Sequence, residues 1–416
     1  MNINLWLESL KTTGTPDFAE AVQYLGELFP LLQQFAATPQ DTRWHAEGDV
    51  AIHTQLVLTA LYQLLASEAQ HITGEQRQAL ILGAVLHDIG KPLTTQPRER
   101  DGDIRIVAPG HEALGRNLIA VPLMSLPLAY SVVQSIMGLV GYHQLPKLLV
   151  VRNADYAEYL KLALNADLQL LYWLERADMQ GRICDDLPQQ LSLLAEFRLF
   201  AQEYGVWESD FRQHLLADIQ QKDSAAAQRY VNGYALRELV IGDIAMPVEA
   251  LARTYQRCQH YSQFYLLFGV SGSGKSSWIE QQRRDDWLVI SLDEIRAEIN
   301  GQRGNQKNRG QMLQLAKQRL KQALAAGQDV VWDATNIRQD FREPLTSLAV
   351  NYGALITMVI FHLDSATLKR QNRNRPYAVS DEVLQQQLAK LQWPLVEESH
   401  YQLVIGEHGR QLVCNG

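Results

Sequence analysis

The sequence predicts two domains of different class. An all-α domain spans residues 1–235, a connector spans 236–263, and an α/β domain with a five-stranded parallel sheet spans 264–416. Three observations predict this. At 416 residues the chain exceeds one typical domain. Up to about residue 235 apolar residues recur at three- and four-residue spacing, with few β-branched blocks between them. Beyond 264, short apolar runs alternate with helical patterns, the grammar of a parallel sheet covered by helices.

The helical elements fall at 50–66, 74–86, 111–119, 128–141, 154–163, 167–179 and 187–203. The strands fall at 264–268, 287–291, 329–332, 355–361 and 402–405. Gly242, Pro247 and a polar stretch to Ser262 mark the connector. With 46% hydrophobic and 20% charged residues the chain can bury two cores, so disorder is not expected. A formal net charge of −8 argues against a basic coat over the whole surface, yet allows a local basic groove. Cys184, Cys258 and Cys414 form no Cys-x-x-Cys pair, so neither a thiolate zinc site nor a disulfide framework is expected. There is no basic segment leading into an apolar stretch at the start, and no apolar run of membrane-spanning length. The expectation is a cytoplasmic protein with no membrane partner.

Residues 269–276 read Gly-Val-Ser-Gly-Ser-Gly-Lys-Ser, a phosphate-binding loop entered by a strand and left by a helix. Gly269, Gly272 and Gly274 let backbone N–H groups turn inward, and the helix adds its positive dipole end. Gly272, Ser273, Gly274, Lys275, Ser276 and Ser277 are therefore expected to hold ATP or another nucleoside triphosphate. Lys275 reaches the β/γ-phosphates and Ser276 holds Mg²⁺.

In the helical part, histidines stand where metal ligands would. His53 lies one turn into a helix, His87-Asp88 ends an apolar one, His111 precedes another, His143 sits in Gly-Tyr-His-Gln, and Asp178 closes 168–179. An aspartate at a helix C-terminus faces the negative end of the dipole, at a cost of about 0.3–1 kcal/mol. Either Lys91 or a divalent cation is expected to compensate at Asp88. Imidazole and carboxylate together suit a transition metal, with Mg²⁺ as the weaker fit.

The order His53, His87-Asp88, His111, His143, Asp178 resembles the HD phosphohydrolase superfamily. Its core motif is matched by His53, His87, Asp88 and Asp178, and His111 and His143 match members that hold a second metal. The stretch Trp44-His-Ala-Glu-Gly-Asp-Val-Ala-Ile-His53 is similar to the HD domain attached to bacterial CCA-adding enzymes, which act on 2′,3′-cyclic and 2′-phosphates. The resemblance implies metal-assisted hydrolysis by one or two ions, with Lys91 countering charge on the leaving phosphate. His45 and Glu47 either support the ligands or form a polar entry to the helix.

In the α/β part, Ser291-Leu-Asp-Glu-Ile-Arg296 follows the second strand. Asp293 at the strand's carboxyl end suits a general base for an acceptor hydroxyl, and Arg296 on the same helix face suits an acceptor phosphate. Asp293 also suits a helix cap. Asp333, in Asp-Ala-Thr-Asn336, suits either a Mg²⁺-water contact or a salt bridge to Arg296. Lys369, Arg370, Arg373 and Arg375 occur without a neighbouring acid and suit a lid over the triphosphate, with Arg370, Arg373 and Arg375 binding ATP and Arg373 stabilising the transition state. From Gly301 to Gly327 there is no acid, while Arg303, Lys307, Arg309, Lys317, Arg319 and Lys321 supply positive charge. That run forms either a phosphate-backbone groove or a plain basic face, without aromatic interleaving.

Together these motifs resemble polynucleotide 5′-kinases of the phage and bacterial end-healing type. The two parts in this order resemble bacterial bifunctional HD-domain polynucleotide kinases. The resemblance implies a 5′-hydroxyl kinase joined to a 2′,3′-phosphoesterase, acting on RNA ends ahead of a separate RNA ligase. An alternative is a small-molecule kinase, for a sugar or a nucleotide, fused to a nucleotide phosphohydrolase. Another is a nucleotide-gated switch.

Overall fold

The computed structural model describes residues 2–415 apart from 101, 221–223 and 302–307. It divides into two compact units, Met1–Arg212 and Gln213–Gly416.

The first unit is built around the helix Gly74–Leu86, in which every residue from Arg77 to Leu86 is buried. A segment apolar on all sides can only be central. Four further helices bring site residues to it: Val50–Ala66, His111–Leu123, Tyr130–Tyr142 and Leu168–Gln180. Close approach is set by small residues. A Cβ on Gly90 would lie 2.2 Å from the carbonyl oxygen of His111, and one on Gly83 would strike Leu139. Asp49 caps the first of these helices, accepting from the Ile52 amide at 2.9 Å, which places His53 on its first turn. The unit is not all-α. An antiparallel hairpin, β1 (Gln96–Arg100) and β2 (Asp103–Val107), interrupts it. Its Pro- and Arg-rich sequence carries no apolar alternation in β1, which is why periodicity did not reveal it.

In the second unit the strands are β3 (Gln263–Phe268), β4 (Leu288–Ser291), β5 (Val330–Asp333), β6 (Leu355–Phe361), β7 (Tyr401–Ile405) and β8 (Gln411–Asn415). The sheet order is β4-β5-β3-β6-β7-β8. It has six strands rather than the expected five: β4 to β7 run parallel with β3, and β8 adds an antiparallel edge. The short turn after β7 permits a hairpin, whereas a parallel neighbour would need a crossover. β3 is buried on both faces. Tyr265 and Leu267 pack with Trp278, Trp287, Val331, Val359 and Phe361 on one of them. β5 and β6 flank it on opposite sides, so the loop after β3 opens onto a crevice at the carboxyl ends of the strands.

The boundary between units differs from expectation as well. The helix Ala225–Val240, read from sequence as part of the first domain and the connector, belongs to the second unit. Tyr230 Oη donates to the Gly353 carbonyl at 2.9 Å, and Tyr401 Oη donates to the Arg229 carbonyl at 2.7 Å. Gly233 lets the Tyr401 ring come against the helix, since a Cβ there would be 2.6 Å from it. Helical periodicity reports a buried face but not which sheet buries it.

Candidate active sites

The helix ends of the first unit converge on one buried cluster. His53 Nε2 lies 2.9 Å from Asp178 Oδ1 and 3.9 Å from Asp88 Oδ2. His87 Nε2 lies 3.2 Å from Asp88 Oδ2, His111 Nε2 3.3 Å from Asp88 Oδ1, and His143 Nε2 3.7 Å from the same oxygen. All six side chains are buried. Two triads have donor atoms within 4.8 Å of one another, His53–His87–Asp178 and Asp88–His111–His143.

Each imidazole is fixed through its other nitrogen. Nδ1 of His87, His111 and His143 donates to the carbonyls of Ala84, Ala108 and Val140 at 2.8, 2.8 and 3.0 Å. His53 Nδ1 donates to Glu47 Oε1 at 2.9 Å. This aims every Nε2 inward, the orientation a metal ligand requires, with the Nε2 atoms of His111 and His143 3.3 Å apart. Nε2 of His53 and His87 and Oδ1 of Asp88 are buried with no hydrogen-bond partner, and Asp88 Oδ2 has its ion pair with Lys91. Such orphans are costly unless something else satisfies them, and the donor set of imidazoles and carboxylates fits a divalent transition ion. Burial would raise Asp88, but His87 and Lys91 outweigh it and hold the carboxyl well below its usual range. Burial, with His111 and His87 nearby, pushes His143 well down, so it stays neutral. His87 moves the other way: burial opposes its charge, and Asp88 overrides burial.

Lys91 is indeed at Asp88, with Nζ 2.7 Å from Oδ2, and it also donates to Gln40 Oε1 at 2.6 Å. It neutralises one carboxylate edge; the other faces His111 and His143. His45 and Glu47 support the ligands. Glu47 Oε1 accepts from both His45 and His53, and Oε2 accepts from the Ile183 amide. Arg182 was not anticipated from sequence. It grips Asp178 with two nitrogens, at 3.2 and 2.5 Å, from one turn further along. An i, i+4 Asp–Arg pair was visible, but such pairs are usually solvent-exposed and carry no signal alone. A cavity of about 290 Å³ opens beside the cluster, lined by His111, Lys91, Arg182 and Trp44 among others.

In the second unit, Gly272 and Gly274 take φ of +81° and +94° and turn the loop over the start of the helix Lys275–Gln282. A Cβ on Gly272 would lie 2.9 Å from Asn372 and from the Leu368 carbonyl, so the helix Ser365–Arg373 rests on the loop. Gln387 clamps the loop from the other side, accepting from the Ser271 amide at 2.7 Å and donating to its hydroxyl at 3.1 Å. Lys275 Nζ is held by the carbonyls of Gly269 and Val270 at 2.8 and 2.9 Å. Burial lowers its pKa to about 8, with Asp333 and Asp293 opposing the shift and Arg375 adding to it. Ser276 and Ser277 are exposed on the helix's first turn.

Asp293 and Arg296 form an ion pair at 2.5 Å, with the Asp293 side chain 55% exposed. Asp333 ends β5 opposite Ser291. Burial raises its pKa against the pull of Lys275. Asp293, Asp333, Lys275 and Arg375 thus share one electrostatic neighbourhood. The loop after β5 is anchored by Arg342, which is fully buried. It pairs bidentately with Glu398 at 2.6 and 2.8 Å and donates to the Asn336 carbonyl at 2.9 Å.

The arginine segment departs from the expected lid. Arg370 pairs with Glu407, and Arg373 pairs with Asp381 at 3.1 Å with its side chain 67% exposed. The acids that neutralise them lie outside the basic segment itself. Arg375, not Arg373, is the member whose charge reaches Lys275. Asn372 holds this turn, exchanging hydrogen bonds with the Val379 backbone. In the basic stretch, Arg303 and Lys307 lie outside the described residues. Arg319 is tied to Glu298, while Arg309, Lys317 and Lys321 are exposed. An aromatic does enter here, since the Phe341 ring has Arg309 and Arg338 guanidiniums 5.1 and 5.0 Å from its centroid.

A family model described as an AAA domain matches residues 265–394. Over 101 residues the chain is 32% identical to a multifunctional CCA protein of Pasteurella multocida. That match covers 23% of this chain and 22% of the relative's length. Among the described residues no helix is long and apolar enough to cross a membrane. The family match, the glycine-turned loop and the parallel sheet together make the C-terminal unit an α/β P-loop domain, a class whose chemistry implies a nucleotide and Mg²⁺.

Proposed function

We propose that the chain is an RNA end-healing enzyme, phosphorylating 5′-hydroxyl ends in its second unit and hydrolysing 2′,3′-cyclic, 2′- or 3′-phosphate ends in its first. One juxtaposition carries the reading. A buried imidazole–carboxylate cluster opening onto a cation-lined cavity occurs in the same chain as a phosphate loop whose crevice holds an Asp–Arg pair. The similarity of the chain to a multifunctional CCA protein supports it. So does the likeness of its first part to HD phosphohydrolases and of its second to end-healing kinases.

In the kinase step Asp293 accepts the proton of the 5′-hydroxyl. The oxygen's electron pair forms the bond to the γ-phosphorus, and the bond to the bridging oxygen breaks, releasing ADP. Arg296 fixes the Asp293 carboxylate and presents its remaining donors to the acceptor's phosphate. Lys275 exchanges its loop carbonyls for β/γ-phosphate oxygens, and Arg375 adds positive charge where it develops. Ser276 would hold the Mg²⁺ carried with ATP, which would supply positive charge at the phosphate oxygens.

In the hydrolytic step His53, His87, Asp88 and Asp178, with His111 and His143, would hold one or two divalent ions. Such an ion supplies an acidified water and a Lewis acid for the phosphoryl oxygen. Lys91 and Arg182 orient the phosphate from the cavity side. Glu47 keeps the His53 ring in its tautomer. In a first round water adds to phosphorus, one ester bond breaks and its ribose oxygen takes a proton, giving a 2′- or 3′-monophosphate. A second water then breaks the remaining ester bond, releasing inorganic phosphate and leaving the diol.

The test is a single RNA carrying a 2′,3′-cyclic phosphate and a 5′-hydroxyl, incubated with labelled ATP, Mg²⁺ and Mn²⁺, Co²⁺, Ni²⁺ or Zn²⁺ in turn. Both ends of the product are then read. A 5′-phosphate with a free 2′,3′-diol is the expected product. Label appearing only on free nucleosides or gluconate would retire the reading in favour of a small-molecule kinase.

A further inference from the structure

The cavity beside the cluster has a composition that the ester chemistry alone does not need. A phosphate requires cations, and Lys91, Arg182 and the His111 side of the cluster supply that end. The remaining lining sets an apolar and aromatic patch, Ile106, Val107, Leu148 and Trp44, beside polar groups that include the carboxylates of Asp41 and Glu112. Trp44 is 43% exposed, an unusual placement for the largest apolar side chain unless it meets a partner. The Arg43 guanidinium lies 5.4 Å from its ring centroid, which holds the indole in place. Backbone pairing fixes the segment further. The Trp44 amide donates to Asp41 at 3.1 Å, and the adjoining Ala46 amide donates to Ile183 at 3.1 Å. Ile106 in β2 is anchored to the same turn, its amide donating to Asp41 Oδ2 at 3.2 Å. The hairpin and the Trp44 turn are therefore one rigid wall.

The Gln40 amide is committed to Lys91 and to the Asp49 carbonyl. Gln144, on the opposite side, adds a second amide with donor and acceptor together. At about 290 Å³ the cavity is at the small end of ligand pockets. That volume matches one nucleoside.

We infer that this cavity is a terminal-nucleoside subsite, in which the base of the 3′-terminal nucleotide stacks on Trp44 while its phosphate ester meets Lys91 and Arg182. The inference rests on the phosphoesterase reading above and adds the base as a recognised element. Stacking is tolerant of base identity because every base has a π-face, so the subsite selects nucleosides over base-less esters rather than one base over another.

The experiment uses the full chain with Mn²⁺, Co²⁺ or Ni²⁺ and two cyclic esters of equal reactivity class, adenosine 2′,3′-cyclic phosphate and glycerol 1,2-cyclic phosphate. Calorimetric binding of adenosine 2′-monophosphate is measured in parallel. The wild type is expected to favour the nucleoside ester in kcat/KM by about tenfold or more. Trp44→Ala should lose that preference while hydrolysing the glycerol ester as the wild type does, and Trp44→Phe should keep it. Nucleotide binding should weaken about tenfold in Trp44→Ala. Any binding at the phosphate loop is common to all three proteins and cancels in the comparison. Equal rates on the two esters, or a Trp44→Ala protein with its preference intact, would overturn the subsite and leave the phosphoesterase standing. If neither ester is hydrolysed but binding still depends on Trp44, the subsite holds and the phosphoesterase reading falls.

Discussion

The two candidate sites arrange their charged groups in opposite ways. In the first unit the groups are buried and locked: His53, His143 and Asp178 are fully inaccessible, and each imidazole is pinned through Nδ1. In the second, the groups are open and provisional. Asp293 and Arg373 are mostly exposed, and Lys275 holds its own loop. A cluster that is to hold a divalent transition ion gains from rigidity, because its donor atoms must converge within fractions of an ångström. A cradle for a triphosphate is completed by the substrate, so its cations rest on surrogate partners until the phosphates arrive.

The largest effect expected from that contrast is at Asp88, which both triads of the cluster touch. Asp88→Ala should lower phosphoester hydrolysis by about 10³-fold or more while leaving transfer from ATP unchanged. Equal loss of both activities would break the picture of two self-sufficient sites. Asp293→Ala should do the converse, lowering transfer by roughly 10²–10⁴-fold with hydrolysis and ATP binding retained, as read by end-labelling and calorimetry. Next comes a buried support of the open site. Arg342→Met leaves Glu398 buried without its cation, and about 3–5 kcal/mol of stability should be lost from the second unit in urea unfolding, with the first unit's transition unmoved.

The smallest effect concerns pH. Lys275, lowered to about 8 by burial, loses its proton as pH rises through that value in the free protein. Triphosphate binds the charged form, so affinity for ATP should be level below pH 8 and weaken by up to about tenfold per pH unit above it. Lys275→Arg keeps its charge over that range and should flatten the profile. A wild-type profile already flat to pH 10 would mean that Lys275 is not coupled to the phosphates.

Much of both sites was legible in the sequence because the chemistry sits at element ends, where punctuation is strong. Gly90 and Pro92 mark the helix that ends in His87-Asp88, and Gly272 and Gly274 mark the turn before Lys275. Asp293 and Arg296, three apart, do meet on one helix face. What stayed hidden depends on distant partners. Arg370 and Arg373 read as a free basic run, but Glu407 and Asp381 neutralise them from elsewhere in the chain. Glu47 served two rings at once through one oxygen, a bond that spacing could not assign. The hairpin escaped because β1, Gln-Pro-Arg-Glu-Arg, has no apolar residue but proline to alternate, and β8 escaped because its apolar run, Leu412 to Cys414, is only three residues long.

The sequence by itself determined the local matters: a glycine-turned phosphate loop after a buried strand, and histidines and aspartates at helix ends. These follow from backbone sterics and from apolar spacing, which act over a few residues. Only the tertiary structure decided which side chains share a charge. It drew His53, Asp88 and Asp178 onto one point, assigned the helix Ala225–Val240 to the second unit's sheet, and set Trp44 at a cavity mouth. The reason is that Coulombic and packing energies depend on separation in space, and the chain does not encode that separation until its helices have packed.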